Sequence, residues 1–317
     1  MSDTYFEILR PGINTTIQDN GRNHMYHLGI TVSGAIDQRN YKLSNKLVNN
    51  NLNEAVIEFA YQGPLLKLKN GIINLSITGN VLFNIIRKNS NFEDGICYKN
   101  YILESEDQID IISTKNTAYG YLSVNGGFEL KKIWNSYSTN TKANVGSNNG
   151  KKYSIEDKIF IKNTDLQINK EKKISYDQVS DNIIRVIKGT NFDFFSNKVQ
   201  NIFFKKEFSV TKLVDRMGIR LSGHKLENTT STNIKSEGLV RGAIQVPADG
   251  NPIIMLSDHG TIGGYPKIGV VISADLDRVG QFTPGSIINF KQVSLEEAQN
   301  IFKAYTENTN KYLNECN

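Results

Sequence analysis

The stretch Asp258-His259-Gly260-Thr261-Ile262-Gly263-Gly264-Tyr265-Pro266-Lys267 gathers an acid, an imidazole, two hydroxyls and an ammonium around three glycines. It follows the apolar run Ile253-Ile254-Met255-Leu256, as a loop at the end of a strand would. Glycines there expose backbone N–H groups and permit positive φ, so the loop can approach an anion or an amide oxygen. Asp258 could serve as base or orienter, Tyr265 as stacking platform or hydroxyl donor, and Lys267 as charge partner. Thr261, Gly263 and Gly264 would add donors. A tight turn cluster bracing a β domain would use the same residues.

Other residues invite the same double reading. Gln245 lies in the apolar run Ala243-Ile244-Gln245-Val246, where a buried amide needs a partner, either a ligand or the backbone. Arg216 and Arg220 have the spacing to share one face of a strand. That suits a clamp for carboxylate or phosphate, and equally a structural salt bridge. Near the start, Gln18, Asp19 and Arg22 flank an Asp19-Asn20-Gly21 turn signal. His24 and His27 have H-x-x-H spacing, but the segment reads as a polar loop without a third or fourth ligand, so no metal is expected. There is no P-loop, Rossmann fingerprint, G-x-S-x-G elbow or biotinyl-lysine motif. ATP or biotin, if used, would have to be met in a shared site.

The elements that must position these groups are mostly strands. Leu65–Lys69, Asn70-Gly71 and Ile72–Ile77 read as a hairpin around a type I′ turn. Tyr119–Val124 followed by Asn125-Gly126-Gly127 reads as strand and turn. Ile183–Ile187, then Lys188-Gly189, opens the second half and echoes Phe6 to Gly12, a weak sign of duplication. Helices are few. Asp37 can cap a segment carrying Tyr41, Leu43, Leu47 and Val48, and Ser294 with Glu297 forms a capping box before Leu295, Ala298, Ile301, Phe302 and Tyr305. Many short strands between Gly and Asn turns imply a mainly β chain with barrel-like domains.

The 317 residues suffice for two domains, and the polar stretch around Lys170 to Asp181 suggests a boundary giving 1–175 and 176–317. A net charge of +5 without a Lys/Arg cluster argues against nucleic acid. No run approaches the ~18 apolar residues of a membrane span. Two distant cysteines, Cys97 and Cys316, and a start without signal-peptide character give the expectation of a cytoplasmic protein.

Longer motifs occur in a fixed order. They are Pro11-Gly12 through Thr15, Gln18-Asp19 and Gly21-Arg22; Ser33-Gly34-Ala35-Ile36-Asp37; Glu58; Gly63-Pro64; and Asp215-Arg216-Met217-Gly218 with Arg220-Leu221. Gly242-Ala243-Ile244-Gln245-Val246-Pro247, the 258–266 loop, Ile272-Ser273-Ala274-Asp275-Leu276 and Gln281 with Pro284-Gly285 complete the set. Together they resemble the biotin-dependent carboxyltransferase, or allophanate hydrolase subunit 2, family. The family includes the C subunit of bacterial 5-oxoprolinase, half of the carboxyltransferase unit of urea carboxylases, and a Kip-type antagonist of a sensor-kinase inhibitor. The resemblance implies two cyclophilin-like β-barrel domains. It also implies the role of that C subunit in an ATP-dependent 5-oxoprolinase. The partners would be a B-like protein of the allophanate hydrolase subunit 1 family and an A-like lactam hydrolase. The resemblance raises the functional standing of Gln18 and Arg22 and puts Asp258, Gln245 and Arg216 forward as catalytic. Alternatives are the carboxyltransferase half of a biotin-dependent carboxylase and a non-catalytic regulator. Three positions depart from the family pattern. Asn135-Ser136-Tyr137-Ser138-Thr139 stands where GSRST is common, Asn144-Val145-Gly146-Ser147 where GLGG is, and Gly260 where many members carry Gln.

Overall fold

In the computed structural model, which describes residues 3–163, 171–176, 178, 181–227 and 233–316, alternating apolar runs become strands and the two capped segments become helices. The chain separates into two compact units. One comprises Met1–Arg22, Ser33–Gln178 and Thr309–Asn317, the other Asn23–Val32 and Val179–Asn308. The boundary expected around Lys170 to Asp181 falls in part on 170, 177, 179 and 180, which lie outside the described residues.

The first unit begins with β1 (Tyr5–Arg10) and β2 (Asn14–Gln18), followed by α1 (Gln38–Leu47), β3 (Val56–Ala60) and β4 (Leu65–Lys69). It continues with β5 (Ile72–Thr78), β6 (Val81–Ile86), β7 (Phe92–Asp94) and β8 (Lys99–Glu104). β9 (Gln108–Thr114), β10 (Tyr119–Val124) and β11 (Lys158–Phe160) complete it. A six-stranded sheet, β11-β1-β4-β9-β6-β7, and a five-stranded sheet, β2-β3-β10-β5-β8, share one core. Phe6, Ile8, Ile57, Phe59, Leu66, Leu68, Leu75, Phe83 and Leu122 are fully buried in it, as period-two alternation requires.

Helix α1 starts where Asp37 Oδ1 accepts from the Asn40 N–H at 2.9 Å. It rests on the five-stranded sheet through a polar seam. Ser44 donates to Ser123 Oγ at 2.6 Å, and Thr78 donates to the Asn40 carbonyl at 2.8 Å. Asn70 and Gly71 adopt the left-handed φ of +59° and +73° that a type I′ turn needs. Yet β4 and β5 do not pair. β4 bonds β1 and β9, while β5 bonds β10 and β8, so the turn carries the chain from one sheet to the other. The hairpin expectation is corrected: local turn geometry was legible, but the partner strands are distant in sequence.

The second unit contains β12 (Ile183–Lys188), α2 (Asn197–Lys205), β13 (Phe208–Val214) and β14 (Gly218–Gly223). Next come β15 (Glu237–Gly238), β16 (Ala243–Gln245), β17 (Ile253–Met255), β18 (Ile262–Gly263) and β19 (Lys267–Val271). α3 (Leu276–Gly280), β20 (Ile287–Gln292) and the greater part of α4 (Leu295–Glu315), up to Asn308, follow. Seven strands close into a barrel, β12-β19-β16-β17-β14-β13-β20, and β15 with β18 forms a separate two-stranded ribbon. Closure removes exposed edges, and here it runs through a parallel β12–β20 pair. Phe203 of α2 stacks on Phe290 of β20 at 4.5 Å between ring centres. Ser294 and Glu297 form the anticipated capping box of α4, with bonds of 2.6 and 3.0 Å. The chain is thus mainly β, with four α-helices among the described residues.

Candidate functional site

A cavity of about 630 Å³ lies in the second unit. The β13–β14 hairpin supplies Leu213, Asp215, Met217 and Arg220, β16 and β17 supply Gln245, Ile253 and Met255, and the loop from Gly260 to Tyr265 lies across from them with Leu239. A mainly apolar wall with a few polar groups is the usual composition of a small-molecule site. Of the residues singled out from the sequence, Arg220, Gln245, Gly260, Gly263, Gly264 and Tyr265 line this cavity.

Gln245 is buried, and its Nε2 donates to the Tyr265 carbonyl at 3.2 Å. Its fixed amide explains Gly263, where a Cβ would stand 2.5 Å from Gln245 Nε2 and 2.8 Å from Leu239 Cδ1. None of Gly260, Gly263 and Gly264 has a positive φ. The expectation of left-handed freedom is therefore corrected. At Gly263 the glycine is needed for lack of volume, because an amide and a leucine already fill the space. The ribbon continues this contact: Leu239 N–H donates to the Thr261 carbonyl at 2.9 Å and Ile234 N–H to the Gly264 carbonyl at 2.8 Å.

Asp258 and Arg216 form a buried ion pair. Arg216 Nε donates to Asp258 Oδ2 at 2.8 Å and Nη2 to Oδ1 at 3.2 Å, with both side chains buried. Arg216 stands in the turn before β14, not on the strand, so it shares no strand face with Arg220. Arg220 instead reaches the cavity wall and pairs with Asp249 at 3.0 Å. The Asp258 N–H also donates to the Arg216 carbonyl at 2.8 Å. Between them these bonds fasten the loop to the β13–β14 turn, and the carboxylate is committed to holding the Arg216 guanidinium. Lys267 is buried on β19 and its ammonium meets Glu237 of the ribbon at 2.6 Å.

Sequence reasoning named the His259 imidazole among the groups of the loop but gave it no role, and it passed over Tyr26. His259 is buried beside Asp258, with Nδ1 at 2.6 Å from the Gly260 carbonyl and Nε2 at 3.3 Å from the Tyr26 hydroxyl. A carbonyl only accepts, so Nδ1 carries the hydrogen and neutral Nε2 accepts from Tyr26. Burial pushes His259 below the ordinary imidazole range; Arg241 adds to this, and the Gly260 bond and Asp258 oppose it. The Asp258-His259 adjacency was a usable signal for the imidazole. For Tyr26, 233 positions away, there was none.

Gln18 and Arg22 belong to the first unit. Gln18 Nε2 donates to Thr139 O at 2.9 Å and to Thr16 Oγ1 at 3.0 Å, while Arg22 Nη2 donates to the Ser138 carbonyl. Between them Asp19 accepts from Ser136 Oγ (2.7 Å), Ser138 Oγ (2.5 Å), Tyr137 N–H (2.7 Å) and Gly21 N–H (2.8 Å). The departures from the family pattern sit here. Asn135 and Asn144, where the resemblance expects glycine, keep left-handed φ of +63° and +53°, which Asn tolerates best after Gly. Tyr137 replaces an arginine and takes the Lys132 ammonium at 5.2 Å over its ring. His24 and His27 lie in an exposed turn, and no group of three or more His, Cys, Asp or Glu suited to a metal occurs among the described residues.

Fold and cavity together define a β-barrel protein with a site of small-molecule size. The chain belongs to the family described as carboxyltransferase domain, subdomain A and B, whose model matches residues 28–292. It is 32% identical over 292 residues to the C subunit of Haemophilus influenzae 5-oxoprolinase, covering 92% of each chain. Over 299 residues it is 29% identical to the Escherichia coli protein of the same name, again covering 92% of each. Urea amidolyase of Saccharomyces cerevisiae is 27% identical over 94% of this chain but only 17% of its own length. In fold, the crystal structure of Kluyveromyces lactis urea carboxylase superposes with a TM-score of 0.88 at 24% identity, covering 98% of this chain and 29% of that one.

Proposed function

We propose that this chain is the C-like component of an ATP-dependent 5-oxoprolinase. It acts with a B-like protein to activate the lactam of 5-oxoproline, and an A-like hydrolase completes conversion to glutamate. The observation that carries this reading is the correspondence with the C subunits of two 5-oxoprolinases over 92% of both chains. The cavity supports it chemically. Opening a lactam requires stabilising charge as it develops on an unreactive amide oxygen, and donors fixed in a low-dielectric site do this best. The Gly264 amide would face that oxygen, the Gln245 side chain would accept from the lactam N–H, and the Tyr265 ring would cover the five-membered ring. Asp258 and Arg216 hold the loop that makes this possible. Gln18 and Arg22 play the corresponding part in the first unit, shaping the 136–140 segment. ATP, as a substrate of the complex, would supply the phosphoryl group, and the Lys212 and Arg220 cations of the cavity wall fit phosphate oxygens.

The test is 5-oxoproline-dependent ADP release by this chain with A-like and B-like proteins, omitting each in turn. Release that needs this chain supports the proposal, and silence from an assembled complex rejects the substrate. A second reading, the carboxyltransferase half of a biotin-dependent carboxylase, is favoured by the match to urea amidolyase across 94% of this chain. In that case activity would need a biotinylated carrier and biotin carboxylase, with Tyr265 and Gln245 facing a cyclic urea instead of a lactam.

A further inference from the structure

At the ribbon of the second unit, a buried cation is neutralised by an exposed anion. The Lys267 side chain is 5% exposed and its Glu237 partner 43%, at 2.6 Å. Asn191 is buried, and its Oδ1 accepts the Lys267 backbone N–H at 3.0 Å and the Thr190 hydroxyl at 3.3 Å. The backbones meet closely here: a Cβ at Gly189 would run into the Lys267 carbonyl, and Asn191 N–H donates to that carbonyl at 3.3 Å. A buried ammonium on rigid backbone thus faces one carboxylate, which comes from a strand of only two residues.

We infer that the buried Lys267 ammonium, on the backbone that Asn191 braces, is a carboxylate-binding niche that Glu237 occupies from within and that a ligand carboxylate enters by exchange. The buried ammonium must keep a counter-anion, since an uncompensated buried charge is strongly unfavourable. It does not matter to Lys267 which carboxylate that is. Glu237 is the exchangeable partner, because its exposed carboxylate regains water when displaced. Exchange also reaches the cavity: β15 carries Glu237, pairs with β18, and leads into Leu239 on the cavity wall. Taking the entering group to be the carboxylate of 5-oxoproline rests on the function proposed above. The niche itself does not.

Glu237→Gln, a partly exposed substitution, removes the internal competitor and keeps a hydrogen-bond acceptor. Isothermal titration of the full chain with acetate and with 5-oxoproline, each against its neutral amide, reads the outcome. A self-occupied niche predicts affinity for the carboxylates about tenfold higher in Glu237→Gln, because apparent affinity scales with the open fraction. The amides gain nothing, and adding Lys267→Met to Glu237→Gln abolishes the gain. In the wild-type chain the Lys267 ammonium resonance shifts as acetate is added. A resonance fixed to saturating acetate, or a folded Glu237→Gln that binds acetate no tighter than wild type, overturns the niche. A gain for acetate with none for 5-oxoproline keeps the niche and rejects 5-oxoproline as its occupant.

Discussion

The two units use buried polar residues in opposite ways. Around Asp19 of the first unit, four donors and one carboxylate satisfy each other between β2 and the 136–138 segment. The second unit also buries charge, but its Asp258–Arg216 and Lys267–Glu237 pairs hold a loop and a ribbon that border a cavity of about 630 Å³. The first arrangement braces a loop. The second holds the parts of a site, and its outer anion is partly exposed. Similar residue types therefore carry different roles, decided by whether the segment they fix borders a cavity.

Mutations can break or sharpen this contrast. Asp258→Ala is expected to have the largest effect, about 3–5 kcal/mol of stability, because it removes the carboxylate that neutralises the buried Arg216 guanidinium. Urea unfolding measures it, and a loss under about 1 kcal/mol would mean that water or another anion replaces the carboxylate. Asp19→Ala should cost about 3 kcal/mol, since several buried donors lose their acceptor at about 1–3 kcal/mol each, tempered by rotation of the serine hydroxyls. Unlike Asp258→Ala, it should leave ligand binding to the second unit unchanged in whatever fraction stays folded. Equal damage to binding from both would erase the distinction.

Gly263→Ala comes next, at about 1–3 kcal/mol for overpacking against Gln245 and Leu239. Calorimetry would also detect a shifted ribbon as weaker ligand binding. Tyr265→Phe should change stability by less than about 0.5 kcal/mol. If its hydroxyl meets substrate, turnover of the complex falls by about tenfold, the scale of one modest hydrogen bond. Smallest is a pH effect of His259. Its folded-state affinity for protons is below the unfolded value, so the unfolded chain binds the proton first as pH falls through about 6.5. Stability contributed by neutral His259 is present above that pH and is lost on acidification toward the lower folded value. His259→Gln should flatten the pH dependence of unfolding below about pH 6.5, and an unchanged slope would remove His259 from the account.

Much of the fold was written in local patterns. Alternating apolar residues gave β1, β10 and β12, and Asp37 and the Ser294/Glu297 box marked where α1 and α4 begin. Helix α2 was missed despite a real signal, Ser196 capping the Val199 N–H at 3.4 Å ahead of Ile202 and Phe203. The site was legible as a set of residue types: the 258–267 loop and Gln245 do meet in one unit. Their assignments were not. Arg216 looked like a clamp for ligand and turned out to be the partner of Asp258.

By itself the sequence determined several of the strands, where two helices start, that Asn70 and Gly71 take left-handed φ, and which family the ordered motifs belong to. Those properties depend on near neighbours and short periods, so they survive reading one segment at a time. Tertiary structure alone decided that β4 and β5 join different sheets, that Gly263 is small because Gln245 and Leu239 crowd it, and that Tyr26 reaches His259. It also decided that Lys267 of β19 pairs with Glu237 of the ribbon. Each is a contact between residues distant in the chain, set by how closed sheets fill space, and no local pattern encodes which distant atoms will compete for the same volume or the same proton.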